Sequence, residues 1–179
     1  PYNIRKGFWW AHIGWVLAKE EEGGFANVPD LQDDPLVRFQ HRFYVLLALI
    51  VGFLAPMGIA SLWGDAVGGL LVAGFLRLAL QYHATFSINS VAHILGRQPY
   101  SRVTSARDSM VTALLTFGEG YHNFHHRFPN DYRNGVRFFQ YDPTKWWVWS
   151  FSRIGLARDM RRTPPEAIAD AREAVRSAA

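Results

Sequence analysis

Three histidines with helical spacing are the residues of this sequence whose chemistry is easiest to state. His122, His125 and His126 occur at offsets of zero, three and four, and residues at those offsets lie on one face of an α-helix. Neutral imidazole is the commonest nitrogen ligand for iron, copper and zinc. The spacing therefore predicts a metal site. The alternative is a solvated, tag-like histidine cluster, but the group lies inside the chain beside a glycine-flanked glutamate.

Other histidines differ in their surroundings. His93 follows Asn89 by four residues in a long apolar segment, and polar side chains at bilayer depth usually face a functional site. His83 precedes His93 by ten residues, which places it about 15 Å away along the same predicted helix and about 80° away in rotation. It is therefore predicted to be structural or to line a tunnel. His12 stands alone among aromatic residues, which favours a structural, hydrogen-bonded role.

The composition limits the possible metal ligands and partners. The 179 residues include no Cys, 7 Trp and 13 Phe, and 49% of them are hydrophobic. Disulfides and thiolate ligands are excluded, so any metal must be held by histidine or carboxylate. The length suits one domain, the aromatic content suits a membrane interface, and no nucleic-acid-binding signature is present.

Two long apolar segments predict an all-α integral membrane protein. Residues 43–63 carry no charge and are long enough to cross about 30 Å of hydrocarbon. After a break at Gly64 and Asp65, residues 66–95 form a second apolar segment, so the two are predicted to make a tight transmembrane helical hairpin. Residues 96–179 would then form a helical cap that carries the histidine cluster.

The charges predict the orientation of that hairpin. Apart from Arg77, every Lys and Arg lies before residue 43 or after residue 95, and residues 96–179 hold 13 Lys or Arg against 8 Asp or Glu. The positive-inside rule places both flanks, and therefore the cap, on the cytoplasmic side. The positive surplus suits anionic lipid or a phosphate-bearing acyl carrier.

The last part of the chain contains two predicted helix starts. Asp142 and Pro143 are typical of an N-cap followed by proline in the first turn, and the Trp-rich stretch after them is predicted to anchor at a headgroup layer or to pack on the protein's own core. Thr163 and Glu166 have the spacing of a capping box. They would open an alanine-rich, solvated helix without a chemical role.

The residues around the histidines also resemble a known family. The segment from Gly118 to His126 resembles the last histidine box of the membrane fatty acid desaturases of the acyl-CoA delta-9 (stearoyl-CoA 9-desaturase) type. Further segments resemble family signatures in the same order: Gly7–Trp15, Asn89–His93, Asp131–Gly135 and Asp142–Trp146. The resemblance covers nearly the whole chain.

The resemblance implies a metal centre and a reaction. In this family two irons held by nine histidines use dioxygen to desaturate an acyl chain, with electrons from cytochrome b5 or a ferredoxin-like donor. The resemblance implies that Asn89 contacts the metal through water and that four histidines are direct ligands: His93, His122, His125 and His126.

It also implies a substrate and a location. The substrate would be a saturated acyl-CoA of about 16 to 18 carbons, with Lys19 near the CoA headgroup, although Glu20 stands where the family tends to place a cation. The membrane would be that of the endoplasmic reticulum in a eukaryote or the plasma membrane in a bacterium.

Two earlier boxes of the family, HxxxxH and a first HxxHH, do not precede the box described above. The sequence is therefore predicted to be the C-terminal portion of a desaturase and to be inactive alone. Two alternatives remain open. One is a non-catalytic membrane hairpin whose histidines bind zinc or nothing, and the other is a lipid hydroxylase with histidine boxes.

Overall fold

The computed structural model describes residues 3–18 and 28–178. The chain divides into two compact units. What we call the polar unit comprises Pro1–Ala18 and Ala84–Ala179, and what we call the apolar unit comprises Lys19–His83. Lys19, predicted to bind the substrate, and Glu20 lie outside the described residues.

Within the described ranges the protein is helical, with isolated β-bridges but no extended strand, as predicted for an all-α protein. The α-helices are α1 (Phe8–His12), α2 (Pro29–Asp33), α3 (Pro35–Arg42), α4 (Tyr44–Leu49), α5 (Ala55–Ser61), α6 (Ala66–Gly68), α7 (Arg77–Asn89), α8 (Met110–Leu115), α9 (His122–Arg127), α10 (Pro143–Arg153) and α11 (Pro165–Ser177). Short 3₁₀-helices cover Ile4–Lys6, Gly14–Leu17 and Val91–His93, and π-helical stretches cover Ile50–Leu54 and Gly69–Leu76.

Two helices are long and apolar enough to cross a membrane. The first, Tyr44–Ser61, joins α4 to α5 through a π-helical stretch and has a mean hydropathy of 2.1. The second, Ala66–His93, has a mean hydropathy of 1.2 and contains α6 and α7. Both lie within the segments predicted from the sequence, although each is slightly shorter. Most of their large apolar side chains are exposed, which suits a surrounding of lipid or further protein better than water.

Close backbone contact holds the two helices of the apolar unit together. A Cβ added to Gly69 would lie 2.7 Å from the carbonyl oxygen of Pro56 and would also collide with the side chain of Ala60. Small residues at such a contact let helix backbones approach each other. In the connecting turn Asp65 caps α6 by accepting a 2.9 Å hydrogen bond from the backbone N–H of Gly68. The two apolar segments therefore pack as a tight helical hairpin, and its crossing of a membrane stays a prediction.

Arg77 lies within the second apolar helix, and carbonyl and amide oxygens surround its guanidinium. Its Nε donates to the carbonyl of Ala73 at 2.8 Å, and its Nη1 donates to Gln81 Oε1 at 2.9 Å. Its Nη2 reaches the carbonyl of Gly52 at 3.5 Å. Gly52 belongs to a π-helical stretch, where backbone hydrogen bonding is altered. Arg77 is exposed in this chain, and these oxygens give its guanidinium the partners that a charge surrounded by lipid would need.

The core of the polar unit joins segments that are far apart in sequence. Phe124 of α9 is fully buried and packs with Tyr100 and with Ile168 and Ala171 of α11. The rings of Tyr100 and Phe124 meet edge to face, with centroids 5.2 Å apart. The sequence predicted a solvated helix here, but α11 is solvated on only part of its surface. One of its faces packs behind the histidine helix.

The two predicted helix starts have different outcomes. Asp142 caps α10 by accepting from the backbone N–H of Lys145 at 3.0 Å, with Pro143 in the first turn as predicted. The capping box proposed for α11 is wrong. Pro164 is the N-cap residue and has no side-chain hydrogen bond, while the N–H of Thr163 donates to Asp131. Asp131, which also accepts from Arg133, holds the residue just before the N-cap.

Candidate metal site

The α-helical part of the second long helix ends before His93. Helix α7 ends at Asn89, and a turn at Ser90 leads into the 3₁₀-helix Val91–His93. The hydroxyl of Ser90 donates to the carbonyl of Phe86 at 2.9 Å, a bond of the type that bends helices. The sequence predicted that Asn89 and His93 share one face of an α-helix. The turn at Ser90 prevents this, because the two residues lie in different helical segments. Asn89 is half-buried at the helix end.

His12 supports this turn. Its ring is 6% exposed and stacks on Phe8, with centroids 5.3 Å apart. Its Nδ1 lies 2.9 Å from the Ser90 hydroxyl, and because that hydroxyl donates to Phe86, His12 is the donor. The structural, hydrogen-bonded role predicted for His12 agrees with these contacts.

Three of the four histidines predicted as direct ligands come together. One ring nitrogen from each of His93, His122 and His126 lies within 4.8 Å of the others. The Nε2 atoms of His122 and His126 are 3.0 Å apart. Two imidazole nitrogens on a single ion with bonds of 2.0 to 2.1 Å are about 3 to 4 Å apart. The cluster therefore fits a metal ion after small side-chain movements.

His93 is oriented by a serine from the next loop. The Oγ of Ser105 lies 2.8 Å from His93 Nδ1. This hydrogen bond occupies Nδ1 and leaves Nε2 as the ligand atom, which is how metal-binding histidines are usually held. Sequence reasoning missed Ser105, because a serine twelve residues from its partner carries no motif.

Asn123, between the histidines of α9, fastens that loop to the helix. Its Oδ1 accepts from the backbone N–H groups of Tyr100 and Ser101 at 2.8 and 3.2 Å. Its Nδ2 donates to the carbonyls of Ser101 and Ala106 at 2.7 and 2.9 Å. The side chain is fully buried, and all four of its hydrogen-bonding positions are used. One residue of the histidine box therefore positions the loop that holds His93.

Asp108 supplies the N-terminal cap that α9 lacks locally. Its Oδ1 accepts from the backbone N–H of Asn123 at 2.8 Å and of Phe124 at 3.1 Å. Tyr121, the N-cap residue, offers no side-chain bond. Burial raises the pKa of Asp108 to about 6, although the two backbone hydrogen bonds oppose that shift. The carboxylate is thus both desolvated and essential to the start of the helix.

A glycine brings α9 against α8. A Cβ on Gly120 would collide with the backbone of Thr112 and Ala113 in α8. The carbonyl of Gly120 accepts from the N–H of Ser109 at 2.9 Å. Glycine next to the box is therefore required by a close backbone approach.

His125 lies beside the cluster rather than in it. Its ring stacks on that of His122, with centroids 5.8 Å apart, but its nitrogens are not part of the three-histidine group. Burial raises the pKa of Glu119, and the nearby His125 and a hydrogen bond with Asn134 act in the opposite direction. Sequence reasoning noted Glu119 only as a neighbour of the box, whereas the structure places its carboxylate near His125.

The electrostatics of α9 favour neutral imidazoles. Burial, reinforced by the neighbouring histidines, lowers the pKa of His122 to about 3, and burial and His125 lower the pKa of His126. Neutral imidazole is the form that binds metal. The Nδ1 of His122 is buried and has no hydrogen-bond partner among the described residues. Because Nε2 is the nitrogen of His122 that lies beside His126, the convergence of the imidazole donors is the feature that fits a metal centre.

The protein thus belongs to a class of helical proteins that combine helices of membrane-spanning length with a histidine cluster suited to a metal ion. Comparison with known sequences identifies the family. A sequence profile of the fatty acid desaturase family matches residues 2–160. The chain therefore belongs to the fatty acid desaturase family.

Several curated relatives cover most of the chain. The chain is 47% identical over 171 residues to the probable acyl-CoA desaturase of Schizosaccharomyces pombe, and the alignment covers 94% of the chain and 36% of the yeast protein. It is 46% identical over 174 residues to acyl-CoA desaturase 1 of Saccharomyces cerevisiae, with coverage of 96% and 34%. It is 37% identical over 175 residues to the stearoyl-CoA desaturase of Sus scrofa, with coverage of 94% and 49%. The chain thus spans about a third of the yeast relatives and about half of the pig relative.

Proposed function

We propose that the complete protein containing this sequence is an acyl-CoA delta-9 desaturase. It would insert a cis double bond into a saturated acyl-CoA of about 16 to 18 carbons with dioxygen. The observation that carries the proposal is the cluster of His93, His122 and His126 in a chain of the fatty acid desaturase family. The relatives are named acyl-CoA and stearoyl-CoA desaturases, which supports the substrate class.

The metal would be iron, held as a pair. Bound iron would supply the activation of dioxygen needed to oxidise an unactivated C–H bond. His93, His122 and His126 would hold one part of the centre, with His125 as a further ligand and Asn89 acting through water. Four imidazoles cannot fill the coordination of two irons, so we propose that other segments of the complete protein supply the rest and that this chain alone is inactive.

The chain's own residues keep the ligands ready for the metal. Partial or full desolvation and the neighbouring histidines lower the pKa values of His122 and His126, so metal binding does not have to displace the second proton of an imidazolium. Ser105 leaves His93 Nε2 free, and Asn123 ties the Ser105 loop to the histidine helix. Little rearrangement is then needed when metal binds.

The overall stoichiometry requires an electron donor. Removing two hydrogens from the acyl chain while reducing dioxygen to two waters consumes two more electrons and two protons. We propose that a cytochrome b5-type or ferredoxin-like protein delivers them. The carrier would be CoA, with Lys19 near its phosphates.

The protein would be integral to the membrane. Tyr44–Ser61 and Ala66–His93 would cross the bilayer, with the metal site on the cytoplasmic side. The membrane would be that of the endoplasmic reticulum in a eukaryote or the plasma membrane in a bacterium. Protease digestion of sealed vesicles is expected to remove α11 from the cytoplasmic face, and protection of α11 that is lost when detergent opens the vesicles would contradict this orientation.

The test of the function is an assay of the complete protein with its iron content measured in parallel. Stearoyl-CoA is expected to give a delta-9 alkene, located by mass spectrometry, and stearoyl phospholipid is expected to give none. His122→Ala, His125→Ala and His126→Ala should each abolish the product, and Asn89→Ala should have a milder effect. Alcohol as the product would indicate a hydroxylase, and bound zinc without turnover would indicate a non-catalytic protein.

A further inference from the structure

A cavity in the polar unit has no role in the metal site. It has a volume of about 460 Å³ and lies between the segment around Val136 and the start of α11. Val136, Pro164 and Ile168 contribute an apolar floor. Four arginines also line it: Arg133, Arg137, Arg162 and Arg172. A cavity of this size holds a small ligand, and its charge specifies the kind of ligand.

One carboxylate neutralises part of that charge. Arg133 is paired with Asp131, with its Nε and Nη2 2.9 and 2.8 Å from the two carboxylate oxygens. Asp131 also accepts from the N–H of Thr163, so its oxygens are engaged at the edge of the cavity. The residues that line the cavity include no Asp or Glu. The cavity therefore keeps a surplus of positive charge.

Tyrosines hold two of the arginines in place, and one of these, Arg172, also interacts with the charge of Asp108. Arg172 Nη2 donates to the hydroxyl of Tyr100 at 2.7 Å, and its guanidinium lies 4.9 Å from the centre of that ring. Arg162 Nη2 donates to the hydroxyl of Tyr132 at 2.9 Å, and its guanidinium lies 5.3 Å from the ring centre. Each guanidinium has further N–H groups available. Positioned arginines of this kind suit the forked recognition of phosphate oxygens.

We propose that this cavity, which we call the arginine pocket, binds a phosphate-bearing ligand. The phosphate would be held by Arg137 and Arg162, which are exposed, together with the anchored Arg133 and Arg172. The apolar floor would contact the rest of the ligand. Because Arg172 and Ile168 also contact the core around Tyr100 and Phe124, binding would stabilise the packing of α11 against the histidine helix. The phosphate could belong to a soluble molecule or to a lipid headgroup.

The test uses the complete protein in uncharged detergent, titrated calorimetrically with inorganic pyrophosphate. Wild type is expected to bind, and Arg137→Gln/Arg162→Gln is expected to lose about tenfold or more in affinity, about 1.4 kcal/mol. Arg137→Lys/Arg162→Lys should be intermediate, because lysine keeps the charge but not the fork. Arg153→Gln/Arg158→Gln removes the same charge from residues that do not line the pocket and should bind like wild type.

A second arm identifies the source of the phosphate. Thermal unfolding is compared in phosphatidylcholine nanodiscs with and without phosphatidic acid. Stabilisation by phosphatidic acid that is lost in Arg137→Gln/Arg162→Gln would identify a lipid headgroup, whereas a response to pyrophosphate alone would identify a soluble ligand. The proposal is overturned if wild type responds to neither probe, or if the pocket and control variants respond equally. Both arginines are exposed, so the variants are expected to fold.

Discussion

In the apolar unit the helices meet through small residues, whereas the polar unit buries hydrogen-bonding side chains. Among the described residues of the apolar unit the buried ones are Ala60, Gly69 and Gly74. In the polar unit the largest fully buried side chains are Phe124, Asn123, Thr112, Asp142 and Ser90. One unit relies on shape at a backbone contact. The other relies on hydrogen bonds of buried side chains, such as those of Asn123, which fix one arrangement, although the buried hydroxyl of Thr112 has no partner among the described residues.

The largest effect is expected in the polar unit, at Asn123. Asn123→Ala leaves two backbone N–H groups and two carbonyls without partners, and each unpaired buried group costs about 1 to 3 kcal/mol. We expect the complete protein to lose about 3 kcal/mol or more of stability, measured by denaturation in detergent. The exposed Asn130→Ala is the matched control. Equal stability of the two variants would contradict the role given to Asn123.

The apolar unit should respond to shape instead. Gly69→Ala forces a methyl group against the Pro56 carbonyl and the Ala60 side chain, and overpacking of this kind costs about 1 to 3 kcal/mol. Gly58→Ala is the control, because a Cβ there meets nothing within 4 Å. Thermal unfolding in detergent should separate the two. Alanine favours a helix more than glycine does, so if Gly58→Ala destabilised as much as Gly69→Ala, the close contact at Gly69 would not explain the result.

A smaller effect is expected at Ser105. Ser105→Ala removes the partner of His93 Nδ1, and loss of such a partner typically lowers metal affinity about 10- to 100-fold. Iron retained by the complete protein during chelator titration is the measurement, with protein stability followed in parallel. Ser105→Thr keeps the hydroxyl and should restore iron retention. Unchanged iron affinity in Ser105→Ala would show that His93 is oriented by other contacts.

The smallest effect concerns pH and Asp131. Burial would raise the pKa of Asp131, but hydrogen bonds from Arg133 and Thr163 outweigh it and hold the pKa below its usual value. The carboxylate therefore stabilises the folded protein above its unfolded pKa of about 3.9. That contribution is lost as the pH falls through the lower folded value. Asp131→Asn should flatten the pH dependence of unfolding below about pH 4. An unchanged profile would argue against the Arg133 pair as its cause.

The sequence predicted the features that depend on local pattern. Uncharged length predicted the two apolar helices, and the order Asp142 then Pro143 predicted the start of α10. The spacing of the histidines predicted the helix that holds His122 and His126. Each of these features depends on residues that are close together in the sequence, so hydrophobicity and helix geometry were sufficient to predict it.

Features that depend on distant partners were not predicted. The hydroxyl of Ser90 bonds within its own turn and to His12, so α7 ends before His93 in a way that hydropathy cannot show. Nothing near Ser105 in the sequence indicates its contact with His93. The packing of α11 on Phe124 was missed because an alanine-rich helix with few large residues has the pattern of a solvated one.

The packing of α11 on Phe124 also affects when α9 can fold during synthesis of the chain. Phe124 is made dozens of residues before Ile168 and Ala171, its partners in the core. A six-residue helix such as α9 is too short to be stable alone. Most of the chain must therefore be synthesised before α11 can cover Phe124. Until then α9 lacks core partners from α11, so folding of the helix that carries three histidines and completion of the polypeptide are linked in time.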